Sequence, residues 1–215
     1  MFVDLSGYTA LTDIHGSYTA FKTIEVFQEI ALKSLVGKTV IRERIGDELL
    51  ITSPEPTDLL TTVLKLRRIA EQTSEFLKIK ASLHYGELLV SNDKLFGAAL
   101  NLASRIISIA KSSQIVTSQD FVDLLPKSEK VLFEKIDSCK FKNVGESIAI
   151  FKLRDSYFTN DSMNVVDPVC KMILISNNEM LEQEHLGNRY FFCSQKCEKL
   201  FVQNPYLFIN VSQDL

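Results

Sequence analysis

With 215 residues, 46% of them hydrophobic and 24% charged, the chain is long enough for one medium domain and a small second one, and its composition is that of a folded globular protein. The net charge of −3 gives no electrostatic basis for binding nucleic acid or an anionic membrane surface. No apolar run approaches the roughly 20 residues of a membrane span, and no basic start followed by an apolar stretch marks a secretory signal. The sequence therefore reads as cytoplasmic and reduced, and its four cysteines read as metal ligands, reactive groups or core residues rather than disulfides.

The first segment, MFVDLSGYT, is a very short apolar run ending in Asp4, followed by a Ser-Gly-Tyr-Thr turn. Phe21, Ile24, Phe27, Ile30 and Ala31 recur at helical spacing and predict a helix over about residues 18 to 35. KTVIRERIGDELLITS predicts two strands joined at Gly46-Asp47, with Pro54 and Pro56 ending the second. TDLLTTVLKLRRIAEQTSEFL predicts a helix with Leu59, Val63, Leu66 and Ala70 on one stripe. In IKASLHYGELLVS, Ile79, Ala81, Leu83 and Tyr85 alternate on one face, and Gly86 is expected to turn that strand into a hairpin. A third helix starts after Gly97, a short strand covers Ile115 to Thr117, DFVDLL forms a short helix closed by Pro126, and two strands cover about 130–142 and 148–153. Hairpins interrupting a strand–helix alternation predict the α+β class, with an antiparallel or mixed sheet. RDSYFTNDSMN reads as a linker. The expected organisation is a domain over 1–153, a linker over 154–164 and a small module over 165–215.

Asp4 and Asp47 each follow a short strand and sit beside a glycine. As isolated residues they are ordinary turn aspartates. If the two strands are neighbours, the carboxylates converge, and divalent cations remove their repulsion. Two such ions activate an attacking oxygen and stabilise a leaving one. Asn101 and Arg105 are four apart on the third helix and share a face. That face is either a solvated polar surface or one suited to a sugar and a phosphate, with the opposite stripe of Ala99, Ala103, Ile106 and Ala110 free to bury.

FVDLSGYT, RIGDELLI, LHYGELLV and LFGAALNLASRI occur in the order and spacing of the class III nucleotide cyclase catalytic domain, which residues 1 to 153 resemble. The resemblance implies a ferredoxin-like βαββαβ core working as a homodimer with active sites at the shared interface. It implies that Asp4 and Asp47 hold Mg²⁺ or Mn²⁺, that Leu5 adds its carbonyl, and that the Ser6-Gly7-Tyr8 loop approaches the triphosphate. Asn101 and Arg105 of the other subunit then orient the ribose and stabilise the transition state. The implied reaction converts ATP or GTP to a 3′,5′-cyclic nucleotide and pyrophosphate. At the two base-selecting positions this chain has Glu43 and Lys94, a pair that matches neither the adenylyl nor the guanylyl set. Glu43 accepts from the guanine N1 and N2 edge and Lys94 donates to O6, which favours GTP. Alternatively the two side chains pair with each other and the base pocket is lost, leaving a catalytically degenerate dimer with a regulatory role. Where many relatives carry a second phosphate-contacting lysine, the aligned residue is Val144, with Lys142 nearby. The segment between Val90 and Phe96 is short for a dimerisation arm, and His84 is expected to shape its turn without a catalytic role.

The C-terminal module carries Cys170, Cys193 and Cys197 as C-x(22)-C-x(3)-C, with Cys193 and Cys197 expected at the start of one helix. Three converging thiolates suit Zn²⁺ or Cu⁺, and a fold of about fifty residues gains from such a staple. The other reading is three buried cysteines packed as small hydrophobes. DPVC before and YFFCSxxC…NPY after resemble a YHS domain, related to the TRASH heavy-metal modules, over residues 165 to about 209. Asp167 and His185 are the candidate fourth ligands, with an open position the alternative. Cys139 is expected in the core of the first domain.

Overall fold

The computed structural model describes residues 1–92, 94–141, 145–154, 165–175 and 180–209. Lys142, Val144 and the expected linker beyond Arg154 lie outside the described residues. The chain divides into two compact units. The first comprises the described residues of Met1–Leu5, Ala31–Arg67 and Ile79–Asp161; the second comprises those of Ser6–Ile30, Arg68–Lys78 and Ser162–Leu215.

The first unit is built on a seven-stranded mixed sheet of order β2-β3-β1-β4-β7-β9-β8. Its strands are β1 (Phe2–Ser6), β2 (Val40–Ile45), β3 (Glu48–Thr52), β4 (Lys78–Leu83), β7 (Ile115–Ser118), β8 (Phe133–Cys139) and β9 (Ile148–Leu153). Helices α1 (Tyr8–Ser34) and α2 (Pro56–Glu71) join the first four strands, and the order β2-β3-β1-β4 is that of a ferredoxin-like βαββαβ core. β1 runs antiparallel to β3, setting Asp4 opposite Glu48 and Val3 opposite Leu49. Gly46, at φ +60°, and Asp47 make the turn from β2 to β3, a conformation glycine adopts without a Cβ clash. The predicted α2 stripe is buried in full: Leu59, Val63, Leu66 and Ala70 are at most 4% exposed. Alternation along β4 buries Ile79, Ala81 and Leu83.

Helix α3 (Ala98–Ser108) buries Ala103, Ile106 and Ile107. A cluster of Ile106, Ala110, Val116 and Ile150 takes in the half-buried Cys139, which agrees with a packing role for that residue. Short helices α4 (Gln119–Leu124) and α5 (Lys127–Lys130) complete this part.

Three local expectations need correction. Helix α1 runs in two segments across non-helical backbone at Gly16 (φ +82°, ψ 171°): the second agrees with the helix expected from about residue 18, and the unforeseen first begins at Tyr8, where the Gly7 carbonyl accepts from Leu11 N–H at 2.9 Å. Its buried stripe is Ala20, Thr23, Phe27, Ile30 and Ala31, while Phe21 is 55% exposed. Gly86 does not fold β4 back on itself. β4 instead lies between β1 and β7, pairing in parallel with β7, and the hairpin is a separate one formed by β5 (Leu89–Ser91) and β6 (Lys94–Phe96). The carbon-free face of Gly86 is used for packing: a Cβ there would lie 2.5 Å from the Ala99 Cβ on α3. Tyr85, past the end of β4, is exposed.

In the second unit, β10 (Val165–Val166) pairs with β11 (Ile173–Leu174), and β12 (Leu181–His185) pairs with β13 (Asn188–Phe192). Helix α6 (Gln195–Gln203) and a 3-10 turn over Pro205–Leu207 follow. Leu77 and Met172 form an isolated bridge, extended by Ile173 N–H to Phe76 C=O at 2.7 Å and Glu75 N–H to Ile173 C=O at 2.9 Å. Phe27 of α1 packs on Phe76 with ring centroids 6.3 Å apart, both essentially inaccessible.

Phe27→Ala is expected to destabilise the protein by about 3–5 kcal/mol, the usual cost of emptying a buried phenyl site. Phe21→Ala, on the exposed side of the same helix, should change stability by no more than about 0.5 kcal/mol. Urea titrations of the two variants check the corrected helix face.

Candidate functional sites

Asp4 lies in the centre of β1 between buried Val3 and Leu5, so its side chain takes the opposite face of the pleat. Asp47 is brought beside it by the β2–β3 turn, where its carbonyl accepts from Leu5 N–H at 3.3 Å. The two carboxyl groups are near enough to share a hydrogen bond. Burial first, and then the Asp4 charge, push the Asp47 carboxyl above its ordinary range; Glu48 is raised for the same reasons. Lys80 supplies the opposing charge, its Nζ 2.9 Å from Asp4 Oδ2. Lys80 alternates with buried Ile79 and Ala81 on β4, so it projects from the face opposite theirs. That alternation was a readable signal for Lys80, and the sequence reading missed it. The donor set fits a divalent cation: hard oxygens, excess negative charge, and one ammonium now balancing it.

Leu5 is buried in β1, Ser6 ends that strand, Gly7 is at φ +97°, and Tyr8 opens α1. Asn101 is exposed and Arg105 half-buried on α3, and the spacing of four puts them on one side of the helix. Glu43 is half-buried on β2, opposite Leu50 and next to a bulge between Ile41 and Glu43. Lys94 is exposed at the start of β6. His84 follows β4, its Nδ1 2.7 Å from Ser118 Oγ, and burial lowers its pKa below the usual 6.5. It lies just past the strand it was expected to belong to, and no hairpin turn follows for it to shape.

The second site lies within the second unit. Cys170 sits in the turn between β10 and β11, Cys193 follows β13, and Cys197 is in the first turn of α6. Cys193 precedes the helix instead of belonging to it; Ser194 is the N-cap and accepts from Cys197 N–H. The Cys170 and Cys193 sulfurs are 3.5 Å apart and those of Cys193 and Cys197 are 3.6 Å apart. The fourth donor is neither of the two expected. It is His15 of α1, with Nε2 3.4 Å from Cys193 Sγ and 3.5 Å from Cys197 Sγ. All four donor atoms lie within 4.8 Å of one another.

Asp167 works one layer out. Its Oδ1 accepts from Val169 N–H at 2.8 Å and from Cys170 N–H at 3.3 Å, and its Oδ2 accepts from Cys193 N–H at 2.8 Å. One fully buried carboxylate thus fixes the backbone of two cysteines. His185 packs edge-on against Phe201 and Tyr206, away from any ligand role. Hydrogen bonds from Cys170 and Cys193 pull the Cys197 thiol down to about 4, while the same contacts push Cys170 up. At Cys197 these contacts favour the thiolate, the form that binds metal.

Residues 165–211 match the YHS domain. Of the curated proteins, the pH-sensitive adenylate cyclase MT1302 of Mycobacterium tuberculosis is 21% identical over 156 residues, 71% of this chain and 39% of that protein. This chain thus spans about two fifths of that relative's length. Of the solved structures, a Trypanosoma brucei adenylate cyclase described in its monomeric state superimposes with a TM-score of 0.64 at 14% identity, over 71% of this chain and 85% of the other. The catalytic core of a rhodopsin-guanylyl cyclase with converted specificity, in complex with ATPαS, superimposes with a TM-score of 0.61 at 19% identity, over 71% and 92%. The chain combines the fold of class III adenylate/guanylate cyclase catalytic domains with a C-terminal YHS domain.

Lys80→Met leaves the acidic cluster without its ammonium. Its melting temperature in chelator should fall by about 2–6 °C, the equivalent of about 1–2 kcal/mol in a chain of this size. Millimolar Mn²⁺ should recover more of that loss than it adds to the unsubstituted protein. Thermal melts with and without Mn²⁺ read both effects.

Proposed function

We propose that the protein is a nucleotide cyclase that converts ATP or GTP to the 3′,5′-cyclic nucleotide and pyrophosphate, working as a homodimer and carrying a metal-binding YHS tail. The observation that carries this reading is the meeting of Asp4 and Asp47, from the first strand and from a turn more than forty residues later, on a cyclase-type sheet. Divalent ions held there would neutralise phosphate charge and activate the ribose 3′-oxygen. Leu5 adds a main-chain carbonyl, and the Ser6-Gly7-Tyr8 loop offers backbone N–H groups to the triphosphate at the start of α1. Asn101 orients the ribose and Arg105 draws charge from the α-phosphate, both reaching in from the second copy. Catalysis on this plan is positioning and electrostatics. Glu43 and Lys94 favour guanine over adenine by hydrogen-bond pattern. No helix among the described residues is long and apolar enough to cross a membrane.

One observation favours a second reading, a degenerate cyclase domain acting as a regulator. Lys80 already neutralises Asp4 at 2.9 Å, so the acidic pair is satisfied in part without a cation.

Purified protein incubated with Mn²⁺ and GTP or ATP separates the two. The enzyme reading expects cyclic product by chromatography, reduced at least about 100-fold in Asp47→Ala, the scale of losing one electrostatic element of a catalytic site. No product from either nucleotide, while nucleotide still binds, supports the regulator.

A further inference from the structure

The thiol cluster takes its last donor from outside the YHS segment. His15 lies two helical turns into α1, the helix that the Ser6-Gly7-Tyr8 loop opens. A tetrahedral Zn²⁺ with arms of about 2.3 Å to sulfur and about 2.0 Å to nitrogen has S–S edges of about 3.8 Å and S–N edges of about 3.5 Å. The observed separations of 3.5 and 3.6 Å between sulfurs, and of 3.4 and 3.5 Å from sulfur to Nε2, are of that size. Three thiolates and one imidazole are a closed structural zinc set, with no position left for substrate. Cys170 and Cys197 are fully buried. The half-buried Cys193 lines a cleft of about 180 Å³ with Glu75 and Met180.

The same segment holds α1 at two more points. Lys196, next to Cys197, donates to the Ile14 carbonyl. Lys171, next to Cys170, lies directly over Gly7: a Cβ on Gly7 would sit 2.5 Å from the Lys171 Cβ. The metal-ligating turn therefore packs on the glycine of the loop itself.

We propose that His15 completes a four-ligand Zn²⁺ site with Cys170, Cys193 and Cys197, and that occupancy of this site fixes the Ser6-Gly7-Tyr8 loop at the head of α1, making the loop responsive to metal. The regulatory half rests on the nucleotide reading above; the ligand set and the loop ordering do not. Coordination draws His15 toward the cysteines and so seats the first two turns of α1 on the Cys170–Lys171 turn. Without the ion, those turns keep the burial of Leu11, the Gly7–Lys171 packing and the Lys196 hydrogen bond, and lose the His15 tether.

The full chain, stripped and reloaded, tests this. One Zn²⁺ per chain is expected by metal analysis, and Co²⁺ in its place should give the intense visible bands of a tetrahedral site. His15→Ala should weaken Zn²⁺ at least tenfold in chelator competition and shift the Co²⁺ bands. His15→Cys should restore tight binding as a four-cysteine site, which separates ligation from folding damage. His185→Ala should leave both readouts unchanged. In hydrogen exchange, Zn²⁺ should slow the amides of residues 6–15 at least tenfold in the parent and not in Cys193→Ser. Unchanged Zn²⁺ affinity and Co²⁺ spectrum in His15→Ala would overturn the ligand assignment. Exchange at residues 6–15 that ignores Zn²⁺ would overturn the loop coupling, even if cyclic nucleotide is made. Metal-dependent exchange with no cyclic product from either nucleotide would uphold the coupling and sink the cyclase reading alone.

Discussion

Strand β1 is the constraint on which the carboxylate site depends. It is hydrogen-bonded to β3 on one side and β4 on the other, so its register leaves little freedom. That register sets Asp4 in the pleat with its carboxyl beside Asp47 and Lys80. The same strand passes through Ser6 into Gly7 and directly into α1. One continuous stretch of fifteen residues therefore delivers an acidic ligand, a glycine loop and an imidazole in turn. Moving β1 by one residue would flip Asp4 to the opposite face.

The two clusters differ in donor chemistry. At Asp4 and Asp47, carboxylates crowd together and a nearby ammonium balances part of the charge; hard oxygens of this kind suit magnesium or manganese. At Cys170, Cys193 and Cys197, soft sulfurs meet an imidazole, and Asp167 spends its lone pairs on backbone N–H groups. The carboxylate that looked like a ligand from its place beside the cysteines is the brace that orients them.

Most of the sheet, helix α2 and the later segment of α1 were legible in the sequence, because periodicity reports burial directly. The stripe at Leu59, Val63, Leu66 and Ala70 is an example. Asp47 does sit where a strand meets a glycine turn, as expected, whereas Asp4, expected at a strand end, lies in the middle of β1. What was not legible was long-range pairing. Nothing near Gly86 says whether β4 turns back or enters the middle of the sheet; that depends on β7, more than thirty residues on. The segment of α1 before the Gly16 kink is only about two turns long and carries no apolar stripe of the usual kind, so it was not legible as helix. His15 had no signal at all. A lone histidine on a helix gives no hint of a cysteine 178 positions away. Asp167 and His185 were favoured because they lie close by in sequence, and closeness in sequence was the wrong measure. His185 instead joins the aromatic packing of Phe201 and Tyr206.

The span between the outermost donors has a topological consequence. His15 and Cys197 stand 182 positions apart, so any bond shared by them ties almost the whole polymer into a ring. Closing a ring of that size removes chain entropy equivalent to about 5 kcal/mol from the unfolded ensemble. A nick anywhere inside the ring would leave the two pieces tethered. An excised YHS segment, by contrast, would keep its three sulfurs and lose the nitrogen, so the recombinant tail by itself is a different ligand from the tail in its parent chain.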